Sequence, residues 1–286
     1  MAVWEAILLG IIQGIFMFFP VSSTSHLVLV QHWLLNRGAG FSLPESPEMI
    51  AFDLVVHVGT VVSIIFVFRK SLWQLFRDTW KDFQNWRKGN ISLKETLHLK
   101  LMGLGLFSVL VTGLVGFPLK NQFERAFAQP IFIAFTLITT GILLWVTDVL
   151  PRRPRGLRDF ALWMALIIGL AQAVALLPGI SRSGITIVAA LLVGLKRRWA
   201  AEFSFFIAIP TILGAAFLHG LEIHFSSGIA NLDWFALVIG FVVAAVVGIF
   251  ALYIVITLLY RAKFRFFSYY VWTLAGIIII SFLFNL

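Results

Sequence analysis

An all-α polytopic membrane protein, with six transmembrane helices plus two re-entrant helical hairpins in an inverted-topology repeat, is the fold that three features of the sequence predict. The first is composition. Of 286 residues, 60% are hydrophobic and only 12% charged, whereas soluble domains have about 45–50% apolar and about 25% charged residues. The mean hydropathy is +0.97, and an apolar excess of that size has to face lipid. The second is a series of long apolar runs separated by basic stretches. Lipid admits only helices or closed barrels, and runs of this length are helical. The third is a pair of apolar segments, each broken in its middle by a proline and a cluster of hydroxyls.

The first element, 3–35, is broken at Pro20-Val-Ser-Ser-Thr-Ser. Its halves are roughly 15–17 residues, short of the about 20 that a crossing helix needs. Proline ends a helix, and polar backbone at membrane depth is tolerated only when buried in protein or lining a cavity. The segment is therefore predicted to be a re-entrant hairpin. Spans follow near 50–68, 101–117 and 131–150. A second segment, 160–195, is interrupted at Pro178-Gly-Ile-Ser-Arg-Ser-Gly and is predicted to be the second hairpin. Spans near 203–218, 234–260 and 267–286 complete the chain.

The two broken segments are related. "GIIQGIFMFFPVSSTS" and "GLAQAVALLPGISRSG" share Gly, Gln, an apolar stretch, Pro and a Ser-rich turn. Each is followed by three spans, an odd number, so the second copy enters from the opposite face. The chain is thus read as one membrane domain over 1–286, with repeat one at 1–150 (hairpin 3–35) and repeat two at 160–286 (hairpin 160–195). Such an architecture places a site near the midplane, where the broken helices meet, and is typical of transporters.

A net charge of +9 could suggest nucleic acid, but the positions of the charges argue otherwise. Lys and Arg concentrate in 69–100, 152–158, 196–198 and 261–265. If both hairpins return to their own side, those four stretches share one face and hold eighteen basic residues. The opposite face has only Arg37, Lys120 and Arg125. That asymmetry is the one expected of cytoplasm against exterior. It puts the first hairpin in from outside and the second from the cytoplasm. The absence of cysteine excludes disulfides and thiolate metal sites. The first basic residue is Arg37, so the basic start of a cleavable signal peptide is missing.

Bringing the two turns together collects Ser22, Ser23, Thr24, Ser25 and His26 with Ser181, Arg182, Ser183 and Thr186. An arginine within an apolar segment is a functional-site candidate, and its guanidinium matches phosphate oxygens in bidentate fashion. Gly179 and Gly184 let backbone N–H groups approach a ligand, and a helix starting after the turn offers its N-terminus to an anion. The alternative is that Arg182 pairs with a carboxylate or with helix ends to hold the repeats together. In the first turn a hydroxyl and a histidine supply a nucleophile and a proton shuttle. Ser23 and His26, three apart, share a helical face. The plain alternative is N-capping of the next helix. Asp53 and His57, four apart in a span, are either a structural pair or an element behind the site. Glu202 adjoins the basic run 196–198 and is expected to form a local salt bridge.

"FPVSSTSH", "PGISRSGIT" and "AEFSFFIAIPT" resemble the integral-membrane undecaprenyl-pyrophosphate phosphatases of bacteria, the bacitracin-resistance type. The resemblance covers essentially the whole chain, including "FDLVVHVGT". It implies the fold described above and an undecaprenyl-diphosphatase: hydrolysis of undecaprenyl pyrophosphate to undecaprenyl phosphate and inorganic phosphate, which recycles the lipid carrier of cell-wall (peptidoglycan) synthesis. By resemblance, Ser23 is the nucleophile or substrate hydroxyl, His26 the acid–base residue and Arg182 the pyrophosphate clamp. Gln13, Ser22, Thr24, Ser181, Ser183 and Thr186 line the phosphate site. The implied partners are a polyprenyl pyrophosphate lipid and the membrane, with no nucleic acid and with room for a homodimer. The implied place is the bacterial inner (plasma) membrane, as a multi-pass protein. The implied cofactor is Mg²⁺ or Ca²⁺.

One position departs from the resemblance. The family's first hairpin reads Glu or Gln, three residues, then Glu. Gln13 meets the first position, and the second falls on Met17, whose thioether is a poor ligand for hard cations. Either another carboxylate substitutes, Asp53 being the best placed by sequence position, or hydrolysis is impaired. The second case defines an alternative: a catalytically impaired homologue that acts as a polyprenyl-phosphate translocase or lipid-binding protein.

Overall fold

The computed structural model describes residues 1–38, 40, 43, 46–92, 95–119, 130–151, 153–225 and 233–284. Lys94, Lys120, Arg125 and Arg152, which entered the charge asymmetry, lie outside them. The described residues form eleven α-helices, and no strand occurs among them. Six are long and apolar enough to cross a membrane: α3 (Pro47–Val67), α5 (Leu97–Gly116), α6 (Pro130–Val149), α9 (Arg197–Phe225), α10 (Trp234–Tyr260) and α11 (Arg265–Phe284). On α5, Leu106, Leu110 and Leu114 recur at four-residue spacing and are more than half exposed, a stripe that only lipid can cover.

Four shorter helices form the broken segments: α1 (Val3–Phe16), α2 (Ser23–Leu35), α7 (Leu162–Val174) and α8 (Arg182–Leu192). They contain 14, 13, 13 and 11 residues. At about 1.5 Å per residue none spans a hydrocarbon core of about 30 Å, which is the length limit a re-entrant hairpin must meet. The breaks fall at residues 17–22 and 175–181, where the two prolines stand.

The basic stretch 69–100 is not simply a loop between spans. Arg69–Arg87 forms a helix, α4, that continues α3 through Phe68. Trp73, Phe76 and Trp80 are exposed along one side of it, beside Arg77 and Lys81. Basic residues flanking an aromatic face are the pattern of a helix at a membrane surface. The span expected at 203–218 likewise begins earlier, at Arg197, so the basic triad 196–198 is drawn into a helix start. There Arg198 Nε meets Glu202 Oε1 at 2.9 Å, the expected local pair.

Packing follows one pattern in both halves. Helix α1 lies along α10, α7 lies along α5, and α6 and α11 lie along each other. The close approaches need glycine at equivalent places, three residues before each glutamine. A Cβ on Gly10 would stand 2.9 Å from Gly240 O of α10, and one on Gly169 would stand 2.7 Å from Ser108 O of α5. Hydroxyls then bond across the contacts, as suits apolar surroundings. Ser63 Oγ donates to Ala245 O at 2.7 Å and Ser108 Oγ to Ala165 O at 2.8 Å. This packing carries the turns of the two broken segments toward each other.

Candidate active site

The two turns meet around one sulfur atom. Met17, buried in the turn after α1, has its Sδ 3.8 Å from Ser23 Oγ and 3.9 Å from Arg182 Nη2. A second bond ties the turns directly: Ser183 Oγ donates to Phe18 O at 3.4 Å. The N-termini of α2 and α8 therefore open on the same place, with Ser23 and Arg182 as their first residues. Two helix N-termini and a guanidinium facing one spot make a strongly anion-favouring field.

Arg182 is partly accessible, and no carboxylate lies within 4 Å of it among the described residues. The alternative of a structural ion pair thus finds no partner there. Ser181 caps α8 by accepting from Gly184 N at 3.2 Å, and its Oγ lies 3.4 Å from Ser183 Oγ. Thr186 Oγ1 donates to Arg182 O at 2.7 Å and makes a short contact with Ser204 Oγ of α9. These hydroxyls brace the arginine's helix rather than pointing away from it.

The first turn is built differently. Ser22 takes up a left-handed backbone with φ of 70° and its side chain does not cap α2. Its Oγ lies 3.1 Å from Ser25 Oγ. N-capping therefore accounts for Ser181 but not for Ser22. Ser23 and Thr24 keep partial exposure, and Thr24 makes no side-chain hydrogen bond among the described residues. A non-glycine residue held at positive φ is a strained feature that persists when its surroundings fix it.

His26 does not bond to Ser23. Its Nδ1 lies 2.7 Å from Ser22 O and its Nε2 lies 2.8 Å from Tyr270 Oη. One face of the ring stacks on Phe16 with centroids 4.0 Å apart. Helix periodicity placed the two residues on a common face, but the turn backbone claimed the imidazole first. Asp53 likewise does not reach the turns: its Oδ1 accepts from Gln31 Nε2 at 2.9 Å. Nor does it pair with His57 through side chains, because His57 Nδ1 bonds to the Asp53 backbone carbonyl at 2.6 Å.

Gln13 and Gln172 occupy equivalent places, seven and six residues before the prolines, with different outcomes. Gln172 Nε2 donates to Thr112 Oγ1 at 3.1 Å and Thr211 Oγ1 at 2.9 Å. Gln13 is fully buried, and neither atom of its amide has a partner among the described residues. An unsatisfied buried amide costs about 1–3 kcal/mol and marks a place where a further polar group belongs.

The second turn is held from α6. Thr136 Oγ1 donates to Pro178 O at 2.5 Å and Thr140 Oγ1 to Gly179 O at 2.8 Å. Gly179 has φ of +86°, and a Cβ there would stand 2.0 Å from Thr136 Oγ1. Gly179→Ala is expected to destabilise the protein by roughly 2–3 kcal/mol, from backbone strain and the clash together. Thermal unfolding in detergent, followed by tryptophan fluorescence, checks this. A midpoint equal to that of the wild type would mean the turn is not held as described.

The donor set does not fit a hard divalent cation. Mg²⁺ and Ca²⁺ take oxygen ligands, and here a thioether and a guanidinium flank the hydroxyls. Among the described residues no cluster of three or more His, Cys, Asp or Glu could hold a metal.

Comparisons with known proteins show the family. A family profile described as "Bacitracin resistance protein BacA" matches residues 6–277. The chain belongs to the BacA family. A member from Halorhodospira halophila is 53% identical over 281 residues, 98% of each chain. One from Alkalilimnicola ehrlichii is 56% identical over 278 residues, 96% of this chain and 95% of the relative. A more distant one, from Carboxydothermus hydrogenoformans, is 34% identical over 97% of this chain and 96% of the relative. All three carry the name undecaprenyl-diphosphatase. As a BacA protein with six apolar spans, the chain is a multi-pass membrane protein.

Several site residues left no signal in the sequence. Tyr270 and Phe16 reach His26 from α11 and α1, and Ser204 reaches Thr186 from α9. Tyr270 lies 244 positions from His26, and nothing in an apolar run distinguishes one tyrosine from its neighbour Tyr269.

Proposed function

We propose that this chain hydrolyses undecaprenyl pyrophosphate to undecaprenyl phosphate and inorganic phosphate in the plasma membrane of a bacterium. The observation that carries the reading is the meeting of Ser23 and Arg182 across Met17 at two converging helix N-termini. A pyrophosphate is the guest such a field selects, and the names of the relatives agree. Halves 1–150 and 160–286 act as an inverted repeat, each contributing one broken segment. The prenyl tail lies among the helices in lipid, which is why a polar site is built at membrane depth.

In this reading Arg182 forks the oxygens of the terminal phosphate, and the N–H groups opening α2 and α8 share its charge. Ser22, Thr24, Ser181, Ser183 and Thr186 shape the phosphate pocket, and the orphaned amide of Gln13 finds its partner when substrate or water enters. Ser23 presents its hydroxyl to the sulfur that the arginine also contacts. His26 moves the proton: it takes one from the attacking oxygen, that of Ser23 or of a water, as that oxygen bonds to the terminal phosphorus, and returns it to the lipid-phosphate oxygen as its bond breaks; where Ser23 attacks, a water then cleaves the phosphoserine and releases inorganic phosphate. Nothing in the comparisons favours a translocase or an impaired lipid-binding homologue, the alternative that Met17 raised.

Two experiments test this. Ser23→Ala should bind undecaprenyl pyrophosphate with wild-type affinity and release phosphate at least about a hundredfold more slowly, the range for loss of a positioned reacting group. Equal turnover by Ser23→Ala would remove Ser23 from the reaction. Because the donor set is unsuited to Mg²⁺ and Ca²⁺, titration calorimetry of the wild type without substrate should show no tight site for either ion. Met17→Glu should create one. Tight binding by the wild type would place a metal on other residues.

A further inference from the structure

The geometry points to Tyr270 as the positioning residue for His26, a role that no comparison assigns. For its kinetic arm the inference rests on the hydrolase reading above. A carbonyl oxygen only accepts, so the bond to Ser22 O at 2.7 Å requires the proton on Nδ1. The neutral ring then has its lone pair on Nε2, and the Tyr270 hydroxyl donates to it across 2.8 Å. Nε2 is thus the basic nitrogen of the ring, and Tyr270 is the side chain that holds it.

Aromatic rings steady the imidazole as well. Phe16 stacks on it at 4.0 Å and 19°, and the Tyr270 ring lies nearly parallel, with centroids 5.7 Å away at 17°. Phe19 packs on Phe267 at 5.1 Å, one turn of α11 before Tyr270. This clamp has an equivalent in the other half. There α6 holds the Pro178 turn with Thr136 and Thr140, both bonding to backbone. Helix α11 holds the Pro20 turn at the corresponding place, but it does so through a titratable ring. A clamp needed only for the fold would serve as well on backbone, as it does in the second turn.

Nε2 has one lone pair and the Tyr270 hydroxyl fills it, so the ring gains a proton when Tyr270 passes its own to Nε2 and Oη takes one from the attacking oxygen; the bond then runs from the imidazolium N–H to Oη. The hydroxyl serves both states of the ring, and no second proton has to leave.

The test is Tyr270→Phe, which keeps the aromatic ring and removes one oxygen, with Tyr269→Phe, whose ring meets Trp145, as control. Two readouts are needed. Steady-state phosphate release should show kcat lowered about tenfold with KM unchanged, the size of one hydrogen bond to a reacting group. ¹⁵N NMR of labelled histidine, with His26→Gln to assign the signal, should show Nδ1–H retained. The Nε2 resonance should move toward that of an unbonded imidazole nitrogen. Tyr269→Phe should change neither. An unmoved Nε2 resonance, or a wild-type kcat in an active protein, overturns the proposal. If the wild type releases no phosphate, the hydrolase reading falls, and the resonance alone decides whether Tyr270 holds the ring.

Discussion

Arg182→Ala is expected to lower kcat/KM for the pyrophosphate by roughly 10²–10³, the loss found when one preorganised partner of developing charge is removed. The reason is local. Arg182 has no carboxylate partner among the described residues, so its charge is not spent on a structural pair. Its contact at the turns is a thioether, which neutralises nothing. Arg182→Lys should recover only part of the loss, because an ammonium lacks the planar fork that grips two phosphate oxygens. A phosphate-release assay with both variants checks this, and full activity of Arg182→Lys would mean that point charge alone suffices. The folded structure should survive either change, since the backbone bonds of the turn run through Ser181, Thr186 and α6 rather than through the guanidinium.

His26→Gln is expected to reduce kcat by about 10²–10⁴, the range for loss of a positioned acid–base group, while KM changes little. Glutamine can still offer a donor toward Ser22 O or an acceptor toward Tyr270, so the turn keeps part of its support. It cannot take up a proton near neutral pH. The split between kcat and KM is the informative quantity. A variant that loses substrate affinity as much as turnover would show that His26 shapes the pocket instead of moving a proton.

Architecture was readable where lipid imposes strict rules. The spans follow from apolar run length, and the broken segments follow from proline and hydroxyls in the middle of runs too short to cross twice. The internal echo of Gln-x-x-x-Met-x-x-Pro and Gln-x-x-x-x-x-Pro put the two turns in equivalent places, and the structure brings Ser23 and Arg182 together. What stayed hidden depended on side-chain direction. Periodicity put His26 beside Ser23, but the left-handed Ser22 turned its carbonyl to the ring and α11 supplied a phenol. Asp53 looked like the nearest substitute carboxylate, yet Gln31 from the neighbouring helix engaged it. Helix α4 was hidden for a different reason. Its charges are those of a loop, and its aromatic face shows only when residues 73, 76 and 80 are set on a helical wheel.

The most direct test of the central claim is a balance of products. Purified wild-type protein in detergent is given undecaprenyl pyrophosphate, and inorganic phosphate and undecaprenyl phosphate are both measured, beside the Halorhodospira halophila relative as a positive control. Hydrolysis at a site shared by the two turns predicts the two products in equal amounts, at a rate comparable to that of the relative. No release by this chain under conditions where the relative is active would contradict the account, and would mean that a thioether between Ser23 and Arg182 is incompatible with the reaction.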